Sequence, residues 1–178
     1  MHSLVSTLPI MLCGWLAASA MAATPIPTTA TFAVNATVQG GCLVVGNPTQ
    51  VSGVSFGMLN FGTQPAVGAG VAAASLSASG GSMAQVQCTP GAAVTVTLDG
   101  GLNASGGQRR LKMGSNNYLP YNLYTSSAMT SAFVPGVGMQ ITATSGAMSL
   151  PVYGVATPPG NGLPAGQYSD TVQVTFGW

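Results

Sequence analysis

Charge is what this chain has least of. Its 178 residues include three Lys or Arg, two Asp or Glu and one His, for a formal net charge of +1. Phosphate backbones are held by clustered Lys and Arg, so no nucleic-acid partner is expected. Intrinsic disorder is excluded as well, since it needs high net charge and little apolar material, whereas 47% of these residues are hydrophobic. A surface with so little self-repulsion does not keep copies apart, which is a hazard for a monomer and useful for a polymer subunit.

Catalytic groups are equally scarce. The carboxylates are Asp99 and Asp170, and the one His is His2. General acid–base chemistry draws mostly on His, Glu, Asp and Lys, so an enzyme is not expected. A carboxylate dyad from Asp99 and Asp170 is conceivable. The plainer reading puts Asp99 in a turn before Gly100-Gly101 and Asp170 at the start of a strand, where it pairs with Arg109, Arg110 or Lys112. Ser and Thr abound without a visible base. Gly100-Gly101 and Gly106-Gly107 lack the Lys-Ser/Thr and the helix of a phosphate-binding loop. Arg109, Arg110 and Lys112 form the one basic cluster, read as a solvated strand edge or as Asp170's partner. Tyr118, Tyr121, Tyr124 and Tyr153 are read as cross-strand pairs rather than a sugar-stacking platform. Asn35-Ala36-Thr37 and Asn103-Ala104-Ser105 match the glycosylation sequon, a pattern too short to weigh by itself.

Long apolar runs are missing beyond the first residues. Leu8 to Ala22 is apolar and then small, ending Ala20-Met21-Ala22, and reads as a secretory signal with cleavage before Ala23. Its start carries no Lys or Arg. The run falls short of the roughly 20 residues that a spanning helix needs, so export rather than membrane insertion is expected. Cleavage removes His2 and Cys13 and leaves Cys42 and Cys88. Two cysteines in an exported chain point to a disulfide. A metal site is the alternative, but two thiolates without His do not fill a zinc shell, and no cofactor is expected.

What is present is strand pattern and turn residues. Val54-Ser55-Phe56 and Leu59-Asn60-Phe61 flank Gly57, and a weak strand runs from Val71 to Leu76. Ala84, Val86 and Cys88 alternate with polar residues, as do Val94, Val96 and Leu98. Leu111 with Met113, Tyr121 with Leu123, Met139 with Ile141 and Ala143, and Met148 with Leu150 and Val152 complete the set. Many short strands with no 3.6-residue stripe predict an all-β sandwich. Two segments stand out. In Gln167–Phe176, Val172, Val174 and Phe176 share one face with Trp178, and the chain stops there. In Thr31–Val38, Phe32, Val34, Ala36 and Val38 share one face. The expectation is a subunit one strand short at its end with a spare strand at its start, completed by its neighbour.

Several stretches together resemble a known family. They are Gly57-Met58-Leu59-Asn60-Phe61-Gly62, Val86-Gln87-Cys88, Leu98-Asp99-Gly100-Gly101, Arg110-Leu111-Lys112-Met113, Leu119-Pro120-Tyr121-Asn122-Leu123-Tyr124, Val152-Tyr153-Gly154, and the ending Ala165 to Phe176 with its Gly-x-Tyr-x-Asp-x-Val-x-Val-Thr pattern. These are similar to the spore coat protein U domain, a family that includes pilin subunits of archaic chaperone–usher pili. The resemblance implies an incomplete immunoglobulin-like β-sandwich lacking its last strand. It also implies a donor strand from another subunit, a periplasmic chaperone, an outer-membrane usher, and surface fibres for adhesion and biofilm formation. The expected organisation is signal peptide 1–22, leader and donor strand 23–41, and pilin domain 42–178. The expected donor residues are Phe32, Val34, Ala36 and Val38, and the expected acceptor edge is Val172, Val174 and Phe176. A spore or cyst coat protein and a glycan-binding module are the rival readings.

Overall fold

The computed structural model describes residues 29–46, 48–50, 52–77, 85–160 and 162–178. The signal segment 1–22 and leader residues 23–28 lie outside them. The chain divides into a first unit ending at Thr37 and a second unit, Val38–Trp178. Of the first, residues 29–37 are described, and they form no strand; Phe32 is 87% and Val34 81% exposed, and Ala36 is exposed too. The strand expected over Thr31–Val38 is therefore not formed. A strand exists only when a partner takes its backbone groups, whatever its side-chain pattern.

The described part of the second unit is all-β. Its strands are β1 (Cys42–Val44), β2 (Met58–Leu59), β3 (Ala72–Ser77), β4 (Gln85–Cys88), β5 (Ala93–Leu98), β6 (Arg109–Met113), β7 (Asn117–Tyr124), β8 (Gly138–Thr142), β9 (Ala147–Ser149), β10 (Tyr153–Ala156) and β11 (Val174–Gly177). They form three antiparallel sheets, ordered β1-β4-β9, β2-β3-β10-β7-β6 and β11-β5-β8. The first and third follow one another along the same chain path. β4 and β5 are joined by Thr89–Ala92, and Gly91, at φ +80°, supplies the left-handed turn. β8 and β9 track that path on one side, with Ala143 bonded to Ala92 and Gly91 between them. β1 and β11 lie on its other side.

Alternation decides what is buried. In β5, Val94, Val96 and Leu98 are 0%, 1% and 1% exposed, while the residues between them are half-buried. In β7, Leu119, Tyr121 and Leu123 are buried in the same way. These faces meet in one core that also takes Ala72, Val86, Leu150, Val152 and Ala156. Each fully buried Val or Leu contributes about 1.5–3 kcal/mol. The β6–β7 hairpin turns through Gly114 at φ +59°, with Met113 opposite Asn117. Pro120 has no N–H and sits where the β10 pairing ends, its carbonyl still accepting from Thr157 N at 3.0 Å.

Three expected strands come out differently. Val54–Phe56 forms no strand, and only Met58–Leu59 pairs there. Met148–Val152, expected as one run, is divided: Met148 is in β9 of one sheet, and Val152 O accepts from Leu76 N beside β10 of another. Pro151, which cannot donate to a ladder, lies between them. The final strand is also shorter than its pattern. Only Val174–Gly177 pairs with β5, while Ser169 bridges to Lys112 of β6. Residues 169–177 thus cross from one sheet to another, so no single neighbour lies beside them throughout.

Candidate functional site

The chain crosses between sheets at Leu150–Val152 and at 169–174, and there the core is open. A groove of about 1020 Å³ is lined by β1, by residues 52–59, and by 170–176 with Trp178. Its lining also includes Val86, Leu98, Tyr121, Leu123, Leu150 and Val152, which are core residues. A cleft that reaches the core of a small sandwich has the volume of a large ligand pocket.

Both β1 and β11 line this groove, and each is the end strand of its sheet. The hydrogen bonds show which backbone groups of the last segment are taken. Thr171 O accepts from Leu102 N at 3.1 Å, and Gln173 O from Asp99 N at 3.0 Å, both toward β5. Backbone direction alternates along a strand, so Val172, Val174 and Phe176 turn their N–H and C=O to the other edge. Among the described residues no strand occupies that edge. The side chains of these three residues are half-buried, and the Phe176 ring lies 5.4 Å from that of Phe56. Apolar side chains and free main-chain groups therefore coincide, which is the arrangement that accepts an added strand.

One wall is fixed covalently. Cys42 and Cys88 are direct partners in the β1–β4 ladder, with Cα atoms 4.0 Å apart, and form a disulfide. The other wall is fixed by the two carboxylates. Asp99 Oδ1 accepts from the backbone N–H of Gly101 and of Gln173, each at 2.9 Å. Asp170 Oδ1 accepts from Asn103 N at 3.2 Å and Nδ2 at 3.0 Å, and its Oδ2 accepts from the Tyr121 hydroxyl at 2.6 Å. Burial first, then the bond to Asp170 and its charge, push the Tyr121 phenol far above the ordinary tyrosine range.

The expected pairing of Asp170 with Arg109, Arg110 or Lys112 is not what forms, and the basic cluster is not uniformly solvated. Arg109 is 2% exposed and donates to the carbonyls of Asp99 (2.8 Å), Leu98 (3.1 Å) and Phe133. Burial pushes its guanidinium downward, opposed by Tyr121, Asp99 and Asp170. Arg110 places its guanidinium carbon 4.0 Å from the centre of the Tyr118 ring and donates to Asn103 O at 2.9 Å. Of the tyrosines weighed as a platform, Tyr121 is interior. The link from Tyr121 and Asn103 to Asp170 escapes a local reading because its members are 49 and 67 residues apart in sequence. The signal that was available is the scarcity of carboxylates itself.

The Spore Coat Protein U domain family matches residues 28–175. The chain belongs to this family. Protein U of Myxococcus xanthus is 33% identical over 172 residues, covering 90% of this chain and 92% of that protein. Among solved structures, a chain of the chaperone–tip adhesion subunit pre-assembly complex from archaic chaperone-usher Csu pili of Acinetobacter baumannii is 21% identical with a TM-score of 0.44, over 80% of this chain. A chain of a chaperone–tip adhesin complex of CFA/I fimbriae biogenesis is 16% identical with a TM-score of 0.41, over 77% of this chain. The chain spans 40% of the length of each of these solved chains.

Proposed function

We propose that this Spore Coat Protein U domain protein is a structural, non-enzymatic subunit of a surface fibre, assembled by strand donation between copies. The observation that carries the reading is the apolar groove opening onto the core beside the unoccupied edge of Val172, Val174 and Phe176. The donor is the segment holding Phe32, Val34, Ala36 and Val38, which is exposed and alternates at the two-residue period an added strand needs. Burying those four side chains contributes on the order of 5–8 kcal/mol before ordering costs. Before assembly a periplasmic chaperone holds the groove filled, and an outer-membrane usher exchanges its strand for the donor of the next subunit. The completed fibre lies at the cell surface and serves attachment and biofilm formation. Because the donated strand completes a core, leaving requires partial unfolding, and the fibre is kinetically stable.

The second reading, a coat structural protein, is favoured by the 33% identity to Protein U. The same strand donation serves it. Neighbouring chaperone and usher genes, and fibres lost from a deletion strain under the electron microscope, separate the pilus from the coat.

The test of donation is refolding of the chain from Ala23 onward, followed by unheated gel electrophoresis. Wild type is expected to give a ladder of detergent-resistant multimers, and Phe32→Asp and Val34→Asp are expected to give none. A ladder unchanged by both substitutions rejects the donor assignment.

A further inference from the structure

We propose that Asp99 and Asp170 are positioning residues for strand uptake, holding residues 169–173 so that the edge of Val172, Val174 and Phe176 is presented before a donor arrives. This rests on the donation reading above. The chain has two carboxylates in all, and both are spent on this one segment rather than on the surface. Asp99 reaches it from the turn after β5, through Gln173 N. Asp170 reaches out from it to Asn103 and Tyr121. The carbonyls of Thr171 and Gln173 in turn accept from the backbone N–H groups of Leu102 and Asp99. The segment is thus tied to the 99–103 turn by both its backbone and its carboxylate.

Two further features fit a clasp. Gly101 has φ +80°, and a Cβ there would run into Asp170 Oδ2, so the turn is closed down onto the carboxylate. Arg109 grips the same turn from the core side through the carbonyls of Leu98 and Asp99. The bonds toward the turn use Thr171 and Gln173, and this parity leaves the even-numbered residues facing the free edge. A slip of one residue would turn Val172, Val174 and Phe176 away from the groove. A pre-set edge lowers the ordering cost of binding, so losing the clasp acts on uptake more than on the fold.

The experiment refolds the chain from Ala23 onward, carrying Phe32→Asp so that its own donor does not compete, in excess fluorescent peptide of the native sequence 29–41. The rate of peptide retention is read beside the melting temperature. Asp170→Asn and Gly101→Ala are expected to slow uptake about tenfold. Val94→Ala, a core substitution outside the groove, is expected to lower the melting temperature at least as much while leaving the uptake rate within twofold. Should Asp170→Asn not fold, Asp99→Asn carries the same comparison, since it leaves the Tyr121 and Asn103 contacts in place. Equal uptake rates in the clasp variants and Val94→Ala overturn the proposal and leave donation standing. A Phe32→Asp chain with both carboxylates intact that retains no peptide overturns donation, and this inference with it.

Discussion

Thr31–Val38 and Ser169–Gly177 carry almost the same pattern, yet they differ in state. Both place apolar residues at every second position. The first forms no strand in its described part, and Phe32 and Val34 are more than four-fifths exposed. The second is bonded on one side to β5 and the 99–103 turn, with Val172, Val174 and Phe176 half-buried. Alternation reports only that a segment is able to fill a half-buried strand position. Which backbone it pairs with is set by partners the local pattern does not name. The later segment has carboxylate and amide partners within the chain. The earlier one has a shape whose partner, on the reading proposed here, is another molecule.

The largest expected effect comes from charging either side of that comparison. Phe32→Asp is expected to abolish multimers by spoiling the donor, and Val174→Asp by spoiling the acceptor. Mixed together, each supplies what the other lacks: Phe32→Asp keeps a sound groove, and Val174→Asp keeps a sound donor. Mixing is expected to restore heterodimers but not long fibres, as read by size-exclusion chromatography. Homodimers of either variant alone would break the assignment of the two roles.

Next in size is the covalent wall. Closing 46 residues of separation between Cys42 and Cys88 contributes about 4 kcal/mol in the chain-entropy treatment. Cys42→Ser with Cys88→Ser is expected to lower the denaturant midpoint accordingly, measured on chain already complemented with the donor peptide. A loss below about 1 kcal/mol would mean that β1 is held by its ladder with β4 rather than by the bond.

Legibility in the sequence follows the range of the interaction. Val94, Val96 and Leu98 were readable as a buried face because alternation within one strand is local, and so were the strands of β4, β6, β7 and β8. The disulfide was readable from the two cysteines that remain once Cys13 is assigned to an export signal. The edge of Val172, Val174 and Phe176 showed in its period, but its length did not. The pattern runs on from Gln167, whereas the ladder with β5 begins at Val174 because the segment is crossing between sheets. Asp170's partners were misread for a related reason. Charge complementarity suggested Arg109, Arg110 or Lys112, but Arg109 turns its guanidinium to three backbone carbonyls and Arg110 donates to Asn103 O, and the phenol and amide that hold Asp170 carry no charge to announce them.

A smaller effect sharpens the clasp itself. Tyr121→Phe removes the hydroxyl that donates to Asp170 Oδ2 and leaves that oxygen short of a partner. The expected cost is about 1.5–3 kcal/mol, the range for hydrogen bonds to charged groups. Urea unfolding of the peptide-complemented chain measures it. An unchanged midpoint would mean that the oxygen finds water in the open groove.

The smallest effect appears only in alkali. Tyr121's phenol is raised in the folded state from its usual value of 10.0, by burial first and then by Asp170. A raised folded value means that the native state keeps its proton while the unfolded chain releases it. This contribution to stability is whole below about pH 10 and falls as pH rises above it, by about 1.4 kcal/mol per unit at most. The comparison with Tyr121→Phe isolates it, since the other tyrosines are shared by both chains. The difference in unfolding free energy between wild type and variant is expected to be flat from pH 7 to 9 and to shrink between pH 10 and 11. A difference that stays constant through pH 11 would mean that Tyr121 ionises alike in the folded and unfolded chains, and its contact with Asp170 would then have to be open to solvent.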